Sequence, residues 1–329
     1  MVQMTRAHRK VQTPQLFRPT NNMRAWAAAP IGGLVGLVLP ALGRLSSVVE
    51  SDAPTLTVAQ WNPHWQCFVG HPDCAGNATA TLDKLLTETA GLDFANIIEL
   101  EEAAYHPPDG WGAVGAGTAS CGQDWDMVLY NQKRWKLLDK HPPVATCLYD
   151  QRSYALAEFE LIGSDPPLQL AFVGAHFPQT LNASTHAYAE ATATLADAIK
   201  ATGQQLVVLA ADTNTESPAA AAASPSHHGV NKTNAELMFD LGVWSKPGVA
   251  PPGSTLFKSC CFNDDFSWQG DRIIANFGGK PQTRVLFDPA PAWAAFDSSE
   301  FHKGVLLTME LSAPSPGPTM NENHSRRKS

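Results

Sequence analysis

The sequence predicts an α/β fold in which packed β-sheets carry helices on their outer faces. Short runs rich in β-branched and apolar residues recur along the chain, few segments have helical periodicity, and long polar loops separate them. The chain has 329 residues, of which 44% are hydrophobic and only 16% charged, against roughly 25% charged in ordinary soluble domains. That composition excludes a disordered or fibrous protein, and the length suffices for one large core. No linker-like segment divides the central part, so one domain is expected over 44–313.

Thr55–Trp61 is a short β-branched run and opens the set as a strand. Thr79–Ala90 has apolar residues at helical spacing and stops at Gly91. Ala95–Leu100, Met127–Tyr130, Tyr154–Leu161 and Leu168–Phe177 follow as strands. Ser184–Ala201 is Ala-rich with few breakers, hence a helix, and Gly203 ends it. Gln205–Ala211 is a near-continuous apolar run, as expected of a strand buried on both faces. Asn231–Leu241 reads as a helix after an Ala/Ser/Pro/His loop, and Arg272–Phe277, Arg284–Phe287 and Val305–Leu311 close the set as strands.

The net charge of −8 is unevenly spread. Residues 1–43 hold five basic side chains and no acidic one, and the Pro/Ser-rich end, 314–329, turns basic and reads as a disordered tail. The remaining 44–313 carry a net −15. Such a domain lacks the basic footprint of a tight nucleic-acid binder, so any phosphate chemistry on it calls for a metal cation. Ala25 to Gly43 is a 19-residue stretch without charge. It reads as a secretory signal with Ala41-Leu42-Gly43 as the cleavage site, or as an uncleaved signal anchor weakened by Pro30 and Pro40. A transit peptide and a buried core helix are the remaining readings. The first two send the domain outside, either secreted or lumenal, or type II membrane-anchored, with membrane contact only in the anchored case.

Four N-x-S/T sequons, at Asn77, Asn182, Asn231 and Asn323, and six cysteines agree with export. Cys67 and Cys74 would close a small loop, and Cys121 and Cys147 could join neighbouring strands. Cys260 and Cys261 are adjacent and are expected to pair elsewhere or stay free. The spacings do not suit zinc.

Polar residues at the ends of apolar strands carry the functional signal, because a strand end is rigid yet open to a shared cleft. Asn62 ends LTVAQWN, and Glu99, Glu101 and Glu102 end FANIIELEE. His176 ends LAFVGAHF, and Asp212 and Asn214 end LVVLAADTN. Asp271 opens DRIIANF, and His302 precedes KGVLLTMEL.

In this order the motifs resemble the endonuclease/exonuclease/phosphatase superfamily, which includes deoxyribonuclease I, apurinic endonucleases, inositol-polyphosphate phosphatases and neutral sphingomyelinases. TVAQWN matches the family's first strand with Asn62, and IIELEE its Gln-Glu strand with Glu102 as metal carboxylate. Asp-Met-Val-Leu-Tyr-Asn at 126–131 is similar to the next strand, and FVGAHF supplies His176. Ala211-Asp212-Thr213-Asn214 stands for Gly-Asp-x-Asn, and Asp271-Arg272-Ile273 is intact. Ser299-Glu300-Phe301-His302 is a partial counterpart of the final Ser-Asp-His. There Phe301 replaces the Asp, and alternation turns neighbouring Glu300 to the opposite face. The choice among Glu99, Glu101 and Glu102 depends on register, since a one-residue slip reverses the face.

The resemblance implies a four-layer α/β sandwich of the deoxyribonuclease I type, two packed mixed sheets with outer helices. It also implies an exported, metal-dependent phosphodiesterase or nuclease using in-line water attack. Glu102 with Asn62 would hold Mg²⁺, with Mn²⁺ or Ca²⁺ as alternatives. His302 would be the general base, oriented by Asp271. His176 would hydrogen-bond the phosphate or donate a proton, with Asp124 as its acid partner. Asn62 and Asn214 would also touch phosphate, and Asp212 with Asn214 would orient the attacking water. DNA is the first substrate class expected and small phosphoesters the second, and the protein is expected to be a monomer. The alternatives are a phosphatase or phospholipase of the same fold acting on an inositol phosphate or lipid head group, and a non-catalytic binding module.

Overall fold

The computed structural model describes residues 54–68, 70–100, 105–115, 125–149, 152–178, 185–214, 258–266, 270–277, 279–296 and 299–311. The N-terminal segment 1–53, the helix expected at Asn231–Leu241, the tail 314–329, Glu101, Glu102, Asp124, Cys121 and the sequons at Asn182, Asn231 and Asn323 lie outside these residues.

The elements in chain order are β1 (Thr55–Trp61), α1 (Asn77–Glu88), β2 (Phe94–Ile97), β3 (Trp111–Gly115), β4 (Met127–Asn131), β5 (Trp135–Leu137), β6 (Val144–Tyr149), β7 (Arg152–Leu161), β8 (Gln169–His176), α2 (Thr185–Thr202), β9 (Val207–Asp212), β10 (Asp271–Ala275), β11 (Gly279–Val285) and β12 (Val305–Glu310). β3, β5 and β6 are strands that the sequence reading did not find. β3 carries two glycines, β5 has three residues, and β6 is a half-buried strand paired only with β7. β11 starts at Gly279 rather than Arg284.

Among the described residues, the strands form two six-stranded sheets. One has the order β11-β12-β1-β2-β4-β3, and the other β10-β9-β8-β7-β5 with β6 on β7. Each is mixed, with one parallel pair: β1 beside β2, and β8 beside β9. Strand alternation then builds the layers. Leu56, Val58 and Phe94 of the first sheet meet Phe159, Phe172, Val208 and Ile273 of the second in one core. The opposite faces take the helices: Leu82, Leu85 and Leu86 of α1 pack with Ala59, Trp61 and Ile97, and Leu195 and Ile199 of α2 pack with Val173, Val207 and Leu209. Helix, sheet, sheet, helix is the expected four-layer sandwich.

Cys67 and Cys74 are joined just before α1, and Cys147 is disulfide-bonded. Cys260 and Cys261 are joined to each other, not paired elsewhere or free. The peptide between them is cis, which brings their Cα atoms to 3.0 Å. No helix among the described residues is long and apolar enough to cross a membrane.

Candidate active site

Register decides where the side chains meet. β8 and β9 run parallel with His176 opposite Asp212, and antiparallel β10 sets Asp271 opposite the same Asp212. These three residues therefore stand side by side at one end of their sheet. In the other sheet β1 and β2 run parallel and end together, at Trp61 and Ile97. β12 is antiparallel to β1, so the segment before it returns to that end, where the His302 N–H donates to the Asn62 carbonyl at 3.0 Å.

A buried polar chain ties the two sheets together behind the cleft. The Asn96 amide donates to Gln60 Oε1 at 2.8 Å and to the Ala210 carbonyl at 2.9 Å, and the Gln60 amide donates to Asp271 Oδ1 at 3.2 Å. Asn96 has room only because residue 174 is glycine: a Cβ there would lie 1.9 Å from Asn96 Oδ1.

Asp271 Oδ2 accepts from Ser259 Oγ at 2.6 Å and lies 2.6 Å from His302 Nδ1. Burial opposes charge on both partners, yet the pairing wins. The His302 ring holds Asp271 below its ordinary range, and Asp271, then Asp212 and Glu99, push His302 up to about 9. Asp212 is raised, by burial first and then by the neighbouring Asp271 carboxylate.

His176 is fully buried between Arg152 and Asp212. Arginine only donates, so the Arg152 contact at 2.9 Å makes His176 Nδ1 the acceptor and assigns the ring proton to Nε2, which lies 3.6 Å from Asp212 Oδ2. Asn214 adopts a left-handed φ of 46°, donates its amide to the Phe177 carbonyl at 2.7 Å, and keeps Oδ1 buried without a hydrogen bond.

Among the described residues, the glutamate after β2 that reaches this site is Glu99. The chain leaves β2 at Ile97 and turns at Glu99, whose φ is 56°. Its Oε2 accepts from the Trp65 N–H at 3.0 Å, and its Oε1 lies 3.7 Å from Arg152 and 3.9 Å from His176. Alternation places Glu300 opposite Phe301, as the sequence implies, but the cleft face is the one Glu300 takes. Its half-exposed carboxylate comes within 4.0 Å of His64 Nδ1, while Phe301 is buried among Trp61, Phe287 and Trp293. Asn62 is buried, and its Oδ1 accepts from the His64 N–H at 2.9 Å.

Structure thus brings together Asn62, Glu99, His176, Asp212, Asn214, Asp271, Glu300 and His302. It adds residues the sequence reading passed over: His64, Arg152, Ser259, Gln60 and Asn96. A signal existed for two of them, since Gln60 and Asn96 are polar interruptions of otherwise apolar strands. Arg152, His64 and Ser259 become visible only through the fold.

Glu99 and Glu300 suit a divalent cation as hard oxygen donors. The same corner holds His64, whose two ring nitrogens are buried without a hydrogen bond. A second cluster, Asp212, Asp271 and His302, has its ligand atoms within 4.8 Å of one another. There Asp271 and His302 spend their facing atoms on each other.

Comparison with solved structures identifies the fold. The chain is similar to an endonuclease/exonuclease/phosphatase family protein from Bacteroides thetaiotaomicron, with 13% identity, a TM-score of 0.51, and coverage of 78% of this chain and 98% of that one. It is also similar to the endonuclease/exonuclease/phosphatase from Bacteroides vulgatus, with 13% identity, a TM-score of 0.51, and coverage of 79% and 100%. No protein-family model and no curated protein matches the sequence. The fold is that of the endonuclease/exonuclease/phosphatase superfamily, the deoxyribonuclease I-like sandwich.

Proposed function

We propose that the chain is a cation-assisted phosphoesterase that hydrolyses phosphodiesters by in-line attack of water. The observation that carries this reading is the convergence, at one sandwich end, of the Asp271–His302 pair, Asp212 with Asn214, the Arg152–His176 contact and Glu99. Their chemistry is complementary to phosphoryl transfer: cationic donors for the phosphate oxygens, a carboxylate for the water, and an acidic corner for a cation.

A divalent ion such as Mg²⁺, with Mn²⁺ or Ca²⁺ as alternatives, neutralises phosphate oxygens and stabilises the leaving oxygen when bound. Glu99 is the carboxylate that would hold it. Asn62 is the nearby amide that fixes the His64 backbone. Arg152 faces the phosphate with a permanent charge and fixes the His176 tautomer so that its Nε2–H can donate. A ring held at a pKa of about 9 carries its proton at neutral pH. His302 therefore acts as a cation and proton donor, and Asp271 holds it in place. The base is Asp212, whose proton affinity burial raises. The Asn214 amide is pinned by Phe177, which leaves Oδ1 to orient the water.

DNA remains the first substrate to try. A second reading, the same chemistry on an inositol phosphate or lipid head group, is favoured by the net −15 over 44–313. Phe301, the substitution that motivates a non-catalytic reading, faces the core rather than the cleft. We propose export as well, supported by the Cys67–Cys74 bond and the exposed Asn77 sequon. The test is hydrolysis of plasmid DNA, bis(4-nitrophenyl) phosphate, inositol phosphates and sphingomyelin with Mg²⁺ and then with chelator. Turnover that stops with chelator and with His302→Ala is expected. Turnover indifferent to both overturns the mechanism.

A further inference from the structure

Cys260 and Cys261 take no part in the mechanism above, yet they lie against its proton donor. Cys261 Sγ stands 3.5 Å from His302 Nε2. The contact is built into the backbone. The Phe262 N–H donates to the Phe301 carbonyl at 3.0 Å and the Lys303 N–H to the Ser259 carbonyl at 2.9 Å, so the two segments are fastened together on both sides of the cysteines. Stability is a poor reason for the bond between the two sulfurs. The stabilisation a cross-link gives grows with the loop it closes, and here the joined residues are neighbours in sequence.

The three side chains have the chemistry and the spacing of a soft-metal site. The two sulfurs and a His302 ring nitrogen lie within 4.8 Å of one another. A tetrahedral Zn²⁺ with bonds of about 2.3 Å to sulfur and about 2.1 Å to nitrogen sets those two donors about 3.6 Å apart, close to the 3.5 Å between Cys261 and His302. His302 is also oriented as a ligand from behind. Its Nδ1 is held by Asp271 Oδ2 at 2.6 Å, and a carboxylate on one ring nitrogen is what aims the other at a metal. Cys260 and His302 are buried, while Cys261 is partly exposed and gives access. The cysteine spacing does not suit zinc in the sequence because the third donor comes from 41 residues further along the chain.

We propose that reduction of the Cys260–Cys261 bond opens a binding site for a thiophilic ion such as Zn²⁺, held by both sulfurs and His302 Nε2. A dithiol reductant supplies two electrons and two protons to the S–S bond and becomes a disulfide itself. The ion then displaces three protons, one from each thiol and one from the His302 ring, which carries its proton at neutral pH. With Nε2 on the metal, His302 no longer donates to the phosphate and turnover stops. That consequence rests on the reading of His302 as the proton donor, whereas the binding site does not. Reducing surroundings thus hold the enzyme inactive, and an oxidising compartment releases it.

The experiment uses the full chain, with Co²⁺ as the spectroscopic stand-in for Zn²⁺. Oxidised and phosphine-reduced wild type are each titrated, and circular dichroism follows the fold. The reduced form should take up one more ion per chain, with sulfur-to-cobalt charge-transfer absorption that the oxidised form lacks and that Zn²⁺ bleaches. Reduced Cys261→Ser and His302→Gln should each bind at least about tenfold more weakly, since even a residue behind a ligand contributes that much. Both variants keep Cys67 and Cys74, and so control for the other thiols. Hydrolysis of bis(4-nitrophenyl) phosphate with saturating Mg²⁺ is measured alongside. Zn²⁺ should inhibit the reduced wild type and spare both the oxidised protein and reduced Cys261→Ser. Equal charge-transfer absorption in the two redox states, either variant folded with unchanged affinity, or a wild type that unfolds on reduction overturns the proposal. Binding as expected with turnover unaffected sustains the site and removes His302 from the chemistry instead. Binding as expected in a protein with no cation-dependent turnover sustains the site and removes the phosphoesterase reading.

Discussion

Two polar regions sit at opposite ends of the same parallel strands, β1 and β2, and they are built differently. Before β2, the buried Asp93 accepts from the Thr57 N–H at 2.8 Å, Trp135 Nε1 at 2.8 Å and Arg134 Nη1 at 3.0 Å. Beyond the far ends of those strands, the cleft keeps buried atoms without hydrogen bonds at His64 and Asn214, three backbones at positive φ at His64, Glu99 and Asn214, and adjacent carboxylates at Asp212 and Asp271. The first region uses its hydrogen-bonding capacity on itself and so fastens the sandwich. The second holds capacity in reserve, at a cost in stability that only a ligand can offset.

The largest expected effect probes that difference directly. Asp212→Asn removes a buried charge that repels Asp271, so the protein should melt a few degrees higher. As the proposed base it should also lose about 10²–10⁴-fold in kcat on a phosphodiester. Scanning calorimetry beside steady-state kinetics checks both, and a variant that loses stability and activity together breaks the contrast. Asp93→Ala should do the reverse. It strands the Trp135 and Thr57 donors and the half-buried Arg134, costing about 3 kcal/mol in chemical denaturation. Activity should stay within twofold wherever the variant is folded.

pH separates the two ends again, in protein kept free of cations by chelator. Burial pushes Asp93 up to about 6 from 3.8 despite Arg134 and its other donors. The folded state then binds more protons than the unfolded between those values, so its contribution to stability falls as pH rises from about 4 to 6 and is flat above. His302 has the opposite charge type. Its pKa is raised to about 9 from 6.5, so its contribution is complete below 6.5 and disappears as pH climbs through 9. Denaturation across pH 4–10 should show both limbs. Asp93→Asn should remove the acid limb alone and His302→Gln the alkaline limb alone. A single variant that removes both would mean the two ends are coupled.

How much of this was legible in the sequence follows from range. Thr55–Trp61 and Val305–Leu311 read as strands because β-branched and apolar residues act locally, and strands stand at Thr55–Trp61 and Val305–Glu310. Trp111–Gly115 did not, because two glycines erase the local signal and pairing with β4 supplies it. At the site, residues on strand ends were legible, since an apolar run that stops on His176 or Asp212 announces a buried end. The place of Glu99 was harder to read, and Glu101 and Glu102 lie outside the described residues. β2 stops at Ile97, and the Glu99 carboxylate is held by the Trp65 N–H, 34 residues earlier in the chain. Arg152 and Ser259 reach the cleft only through strand pairing and loop return, so nothing in their sequence neighbourhood marks them.

The smallest expected effect concerns Phe301, and it marks the boundary between the cleft and the core. Three residues in a row, Glu300, Phe301 and His302, alternate from cleft to core to cleft. Phe301 is fully buried, with ring contacts to Trp61 at 6.1 Å, Phe287 at 6.3 Å and Trp293 at 5.3 Å. Leucine keeps the apolar character and most of the volume. Phe301→Leu should therefore cost about 1 kcal/mol in denaturant and leave kcat within twofold, because the His302 N–H is held by the Asn62 carbonyl and its ring by Asp271. A large loss of kcat at unchanged stability would mean that position 301 reaches the chemistry. The line between the region that fastens the fold and the region that spends its stability would then have to be drawn one residue further into the core.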